Sequence, residues 1–175
     1  MRSTLAALVL PFAIASCGLA SFDVPVKGTI DFKAEDPDTF IPVTDAELEG
    51  EIGEIPANLQ ALDITKQKKF EDSGMSINDV KSLELIALRL KVQGDGTLDF
   101  LGKIAFYIER EGLERVEIAS GEIKPGDTAI TLDTVEKNLI DYAKGTMKLS
   151  AIVDRPTHVV SDTKVDVNAT FHVEL

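Results

Sequence analysis

Lys164-Val165-Asp166-Val167-Asn168-Ala169-Thr170-Phe171-His172-Val173-Glu174-Leu175 is the stretch that decides the fold. Val165, Val167, Ala169, Phe171, Val173 and Leu175 share one parity, and Lys164, Asp166, Asn168, Thr170, His172 and Glu174 hold the other. Strict alternation predicts a strand with one buried and one wet face. An amphipathic helix would instead repeat its apolar residues at three and four.

The same period recurs outward from that stretch. Phe22, Val24, Val26, Ile30 and Phe32 alternate with polar residues, and Gly28 interrupts the apolar parity, which predicts a bulge. Met147, Leu149, Ala151 and Val153 face inward on a further strand. Ile104, Phe106 and Ile108, then Val116 and Ile118, predict an antiparallel hairpin over 103–119 turned at Arg110-Glu111-Gly112. Lys124-Pro125-Gly126-Asp127 has the proline and glycine of a type II turn, and a short strand with Ile130 and Leu132 follows. Leu83 to Val92 is the most apolar run after the N-terminal segment and predicts a central strand. In it Ile86, Leu88, Leu90 and Val92 share a parity that Leu83 and Leu85 break, so a bulge shifts the register or both faces are covered. Leu48 to Ile55 predicts a short strand weakened by Gly50 and Gly53.

Two stretches change period. Pro56 to Phe70 places Leu59, Leu62, Lys66 and Phe70 near one helical face. Lys66, Lys68 and Lys69 then fall at its C-terminal end, where they offset the helix dipole or meet anionic headgroups or a partner's acidic patch. Asp133 to Lys144 has a capping-box pattern (Asp133, Glu136), a buried stripe of Val135, Leu139, Tyr142 and Ala143, and Gly145 beyond its end. Ser76 to Asp79 begins a single capped turn.

The 175 residues are 44% hydrophobic and 27% charged, enough to close one core and too apolar for disorder. Seven or eight strands and one or two short helices predict a mainly β fold: a single antiparallel β-sandwich of immunoglobulin-like architecture, with an open barrel as the alternative. With no tryptophan and one cysteine, there is no Cys…Trp…Cys framework, so that label rests on architecture alone. The net charge of −12 argues against nucleic acid, and against holding a bare anionic membrane by charge alone.

The sole cysteine closes Ile14-Ala15-Ser16-Cys17. Before it stand Arg2 and an apolar run from Leu5 to Ala15, too short to span a membrane and suited to a signal-peptide core. The stretch resembles the lipobox of bacterial lipoproteins: aliphatic, small, small, cysteine. That resemblance implies residues 1–16 as signal peptide, Cys17 as the lipid-attachment residue with palmitate-type acyl chains, 17–21 as acylated cysteine and short spacer, and 22–175 as the β-sandwich domain. Cleavage there removes Arg2 and no acid, so the charge of −12 becomes −13. Gly18 stands where an inner-membrane retention signal carries Asp. The resemblance therefore implies an outer-membrane lipid anchor in the cell envelope, on the periplasmic face or the cell surface.

Chemistry-bearing clusters are few. Glu35, Asp36 and Asp38 lie in an acidic, proline-broken loop from Lys33 to Thr44, tacked to the core through Phe40 and Ile41; they form an exposed acidic turn or, alternatively, a Ca²⁺ site. His158, Ser161 and Asp162 are the only triad-type residues close in sequence, and no nucleophile elbow accompanies them. His172 falls on a polar strand face. No catalytic set, cofactor motif or transition-metal ligand set is assigned. The resulting expectation is a non-catalytic binding or assembly module, anchored to the membrane, with an unknown envelope protein, glycan or lipid as partner. An envelope hydrolase using loop carboxylates and a lipid-binding carrier are the alternatives.

Overall fold

The computed structural model describes residues 21–47, 61–62, 64–145 and 147–175. Cys17 and the leader lie outside them, as does the strand expected over 48–55. The described strands are β1 (Ser21–Phe32), β2 (Val43–Glu47), β3 (Ala61–Leu62), β4 (Ser82–Val92), β5 (Lys103–Glu109), β6 (Val116–Glu122), β7 (Ala129–Thr134), β8 (Met147–Arg155) and β9 (Thr163–Glu174). Two short helices, α1 (Lys68–Ser73) and α2 (Ile140–Ala143), complete the set. All strand pairs are antiparallel, in the order β1-β9-β4-β7-β6-β5-β8-β2, with β3 also on β8. The fold is mainly β, as expected. Its sheet is one continuous path that curls into a half-barrel around its apolar face.

The alternation read at 164–175 organises this path. Val165, Val167, Ala169, Phe171 and Val173 of β9 are buried, and Ile30, Val26, Val24 and Phe22 of β1 lie beside four of them in register. Burying such side chains contributes roughly 1.5–3 kcal/mol each, so one face of the ladder holds most of its energy. Pairing runs through Gly28↔Val167 without a shift, so the expected bulge is absent. The glycine removes a side chain from the face and adds no residue to the strand.

The bulge occurs in β4. Its pairing with β9 shifts between Leu85 and Ala87, which lets Leu83, Leu85, Leu88, Leu90 and Val92 all face inward. Ile86, which shares sequence parity with Leu88, is turned out and exposed, so of the two readings the bulge is the one that holds. The hairpin of β5 and β6 forms as read, with a register shift between Phe106 and Tyr107. The turn before β7 holds Gly126 at φ 87°, the left-handed position a type II turn requires.

Both expected helices are shorter than their patterns. Ala61–Leu62 is strand paired to β8, and α1 begins only at Lys68. Asp133 and Thr134 pair with Ser120 and Ala119 in the sheet, and α2 starts at Ile140. Asn138 accounts for the late start. Its Oδ1 accepts from the Leu83 and Ile140 amides at 3.1 and 3.0 Å, and its Nδ2 donates to the Lys81 carbonyl, so this segment is tied to β4. The single turn at Ile77–Asp79 has the capping box read from Ser76 and Asp79.

Candidate functional site

Two loops meet where β1 ends and β9 begins, at Phe32↔Thr163. The first covers 33–42 and the second 156–162. Asp36 shapes the first: its carboxylate accepts from the Asp38 amide at 2.9 Å, and its carbonyl accepts from the Thr39 and Phe40 amides. Such local bonds favour a turn over helix or strand.

The loops are clamped together. The Glu35 amide donates to the Val159 carbonyl at 2.9 Å, and the Val159 amide donates back to the Glu35 carboxylate at 3.0 Å. The Ala34 amide donates to Asp162 at 3.0 Å, and Lys33 pairs with the same carboxylate at 3.1 Å. At the centre is Arg155, the last residue of β8. It is 5% exposed, continues the inward parity of Ala151 and Val153, and donates through Nη2 to Glu35 Oε2. Its guanidinium lies 5.3 Å from the centroid of the Phe40 ring, within cation–π range, and Phe40 in turn packs against His158 at 6.1 Å.

The electrostatics follow from this packing. Burial pushes the Glu35 carboxyl up. The hydrogen bonds from Arg155 and Val159, with the charges of Arg155 and His158, outweigh it and hold the group below the usual range. Asp162 is lowered by the Ala34 amide and by Lys33. The loops therefore carry ionised, partnered carboxylates, while Ile41 and Val160 stand 78% and 81% exposed.

The residues singled out in sequence take definite places in this arrangement. Glu35, Asp36 and Asp38 do not converge as calcium ligands: Glu35 turns to Arg155, and Asp36 closes its own turn. No group of three or more His, Cys, Asp or Glu residues is placed to hold a metal among the described residues. His158, Ser161 and Asp162 form no triad, since His158 packs on Phe40, the Ser161 carbonyl accepts from Thr163, and Asp162 binds Ala34 and Lys33. Phe40 does tack the loop down through Arg155 and His158, whereas Ile41 points to solvent. His172 lies on the polar face as expected, 2.7 Å from Asp23. Lys68 and Lys69 open α1 instead of closing a longer helix, so they do not offset its dipole.

Arg155 was not among the residues singled out in sequence. The signal was present: an arginine on the inward parity of Met147, Ala151 and Val153 has to find a buried partner. A second polar group on the outer face was equally hidden. The Arg115 guanidinium lies 4.3 Å over the Tyr107 ring and donates to the buried Ser150 hydroxyl at 2.7 Å, while Tyr107 donates to Glu117 at 3.3 Å. Beside it, Ala105, Tyr107, Ser120 and Ile152 line an open depression of about 310 Å³.

No known family model matches the chain, and no curated protein matches it in sequence. Among solved structures, a chain of the cyanophage Pam1 capsid asymmetric unit is similar at a TM-score of 0.40 and 12% identity, over 98% of this chain and 96% of that one. The acid-stable capsid of Helicobacter pylori bacteriophage KHP30 gives 0.36 and 9%, over 89% and 99%. At these scores the likeness assigns neither family nor function.

Proposed function

We propose that this chain is a membrane-anchored envelope lipoprotein whose domain is a non-catalytic binding or assembly module. One observation carries the binding reading: the loop pair locked by Glu35 and Arg155 presents Ile41 and Val160 almost wholly to solvent. Single exposed apolar side chains are ordinary on a protein surface. Two at this exposure, on loops joined by the Glu35–Val159 and Ala34–Asp162 bonds and tied to the end of β8 by the Glu35–Arg155 ion pair, form a preorganised contact that loses little entropy on binding. The partner that suits it is an envelope protein with a complementary apolar patch.

The anchor rests on Ile14-Ala15-Ser16-Cys17, with Cys17 acylated and the domain held at the outer membrane. β1 starts at Ser21 and leads away to the loops. At about 3.3 Å per residue it spans roughly 36 Å, so the loops stand at the far end from the attachment point. We read the two groups of strands joined through β7 as the layers of a single immunoglobulin-like β-sandwich. The support is the burial of Val24, Leu88 and Phe171 on one side of that junction and of Phe106, Ala151 and Val153 on the other.

The test uses crosslinked membranes from cells making the full chain. A specific crosslinked partner that is recovered with wild type and lost with Ile41→Asp/Val160→Asp supports the reading. Equal recovery from both, or no specific partner under several crosslinking conditions, overturns it. Acyl labelling tests the anchor separately, and equal labelling of wild type and Cys17→Ala would end that part of the proposal.

A further inference from the structure

We infer that Lys68 and Lys69, with Lys66 beside them, form a contact surface for anionic lipid headgroups at the anchored end of the domain; this rests on the Cys17 anchor proposed above. Phe70 of α1 is buried and packs against Phe22, the second residue of β1, with ring centroids 6.1 Å apart. That contact pins α1 beside the start of β1, close to where the chain would leave the membrane. Ser21, Ser82 and Glu174 mark the same end of the sheet, opposite the clamped loops.

Lys66, Lys68 and Lys69 are all exposed. Glu71 and Asp72 follow Lys68 at three and four residues, the spacing that pairs charges along a helix. Even so, neither Lys68 nor Lys69 closes an ion pair among the described residues. Both also occupy the first turn of α1, where the helix dipole disfavours cations, so the placement does not serve the helix. The molecule as a whole is too acidic to seek an anionic surface unaided. An anchor changes this, because it brings the start of β1, and α1 packed beside it, toward the headgroups, where local charge acts over a Debye length.

The experiment inserts the full acylated protein into preformed vesicles of phosphatidylcholine alone, or of phosphatidylcholine with about one-third phosphatidylglycerol. An amine-reactive reagent is then applied and modification is read lysine by lysine. Each lysine at an anionic surface is worth about a fivefold preference. Lys68 and Lys69 should therefore react several-fold more slowly on the anionic vesicles. Lys124, exposed at the far end, should react equally on both, and 1 M salt should abolish the difference. Equal rates at Lys68 and Lys69 on both vesicles, for a chain whose intact mass shows the acyl chains and which floats with the lipid, overturn the headgroup contact and leave the anchor standing. A chain without acyl mass that fails to float overturns both.

Discussion

Glu35 and Arg155 show how far one residue's role can depend on a distant partner. Arg155 is nearly buried, and its Nε has no hydrogen-bond partner among the described residues, so its charge depends on Glu35. Glu35→Ala should destabilise the fold by about 3 kcal/mol, measured by urea unfolding, because it strands a buried cation. A change within about 0.5 kcal/mol would mean the pair is not the clamp. The pH dependence has a definite sign. Glu35 is held below its ordinary 4.5, so its contribution is complete above that value and is lost as pH falls through the lower folded one. Acid unfolding of Glu35→Gln should therefore show a shallower loss of stability below about pH 4.5 than wild type. The acid was visible in sequence as part of an acidic turn. Its role was not, because the partner is 120 residues away.

Among the elements, the described strands were legible, whereas the two short helices were legible in number but not in extent. A strand declares itself by a local period of two, and that reading placed the buried apolar residues of β1, β5 and β9, and Met147, Ala151 and Val153 of β8, while missing Ser150 and Arg155. The helix pattern over 133–144 lost to a tertiary competitor: Asp133 and Thr134 extend the sheet, and Asn138 binds β4. Asn138→Ala should cost about 1 kcal/mol in thermal or chemical unfolding, since its bonds are at most part-buried. The bulge in β4 makes a sharper contrast. Ile86→Thr should change stability by less than about 0.5 kcal/mol, whereas Leu88→Ala should cost about 2–5 kcal/mol. Similar losses for both would mean that Ile86 faces the core and that the register shift between Leu85 and Ala87 is misplaced.

At the scale of the molecule, β1 runs between two ends of different make-up. One end receives the chain at Ser21 and holds α1 against Phe22; the other carries the clamped loops with Ile41 and Val160. The candidate clusters read in sequence, Glu35 to Asp38 and His158 to Asp162, both fall in these loops, so the place was legible. What they do there was not, since converging ligands and a clamp draw on the same polar residues and differ only in geometry. Binding through the clamped loops is tested most directly by site-specific photocrosslinking in living cells, with the photoreactive residue at position 41, 160 or 86. A partner docked on the clamped loops gives one discrete adduct from 41 and 160 and none from the outward-facing but remote Ile86. No adduct at 41 and 160, or the same adduct from all three, would contradict it.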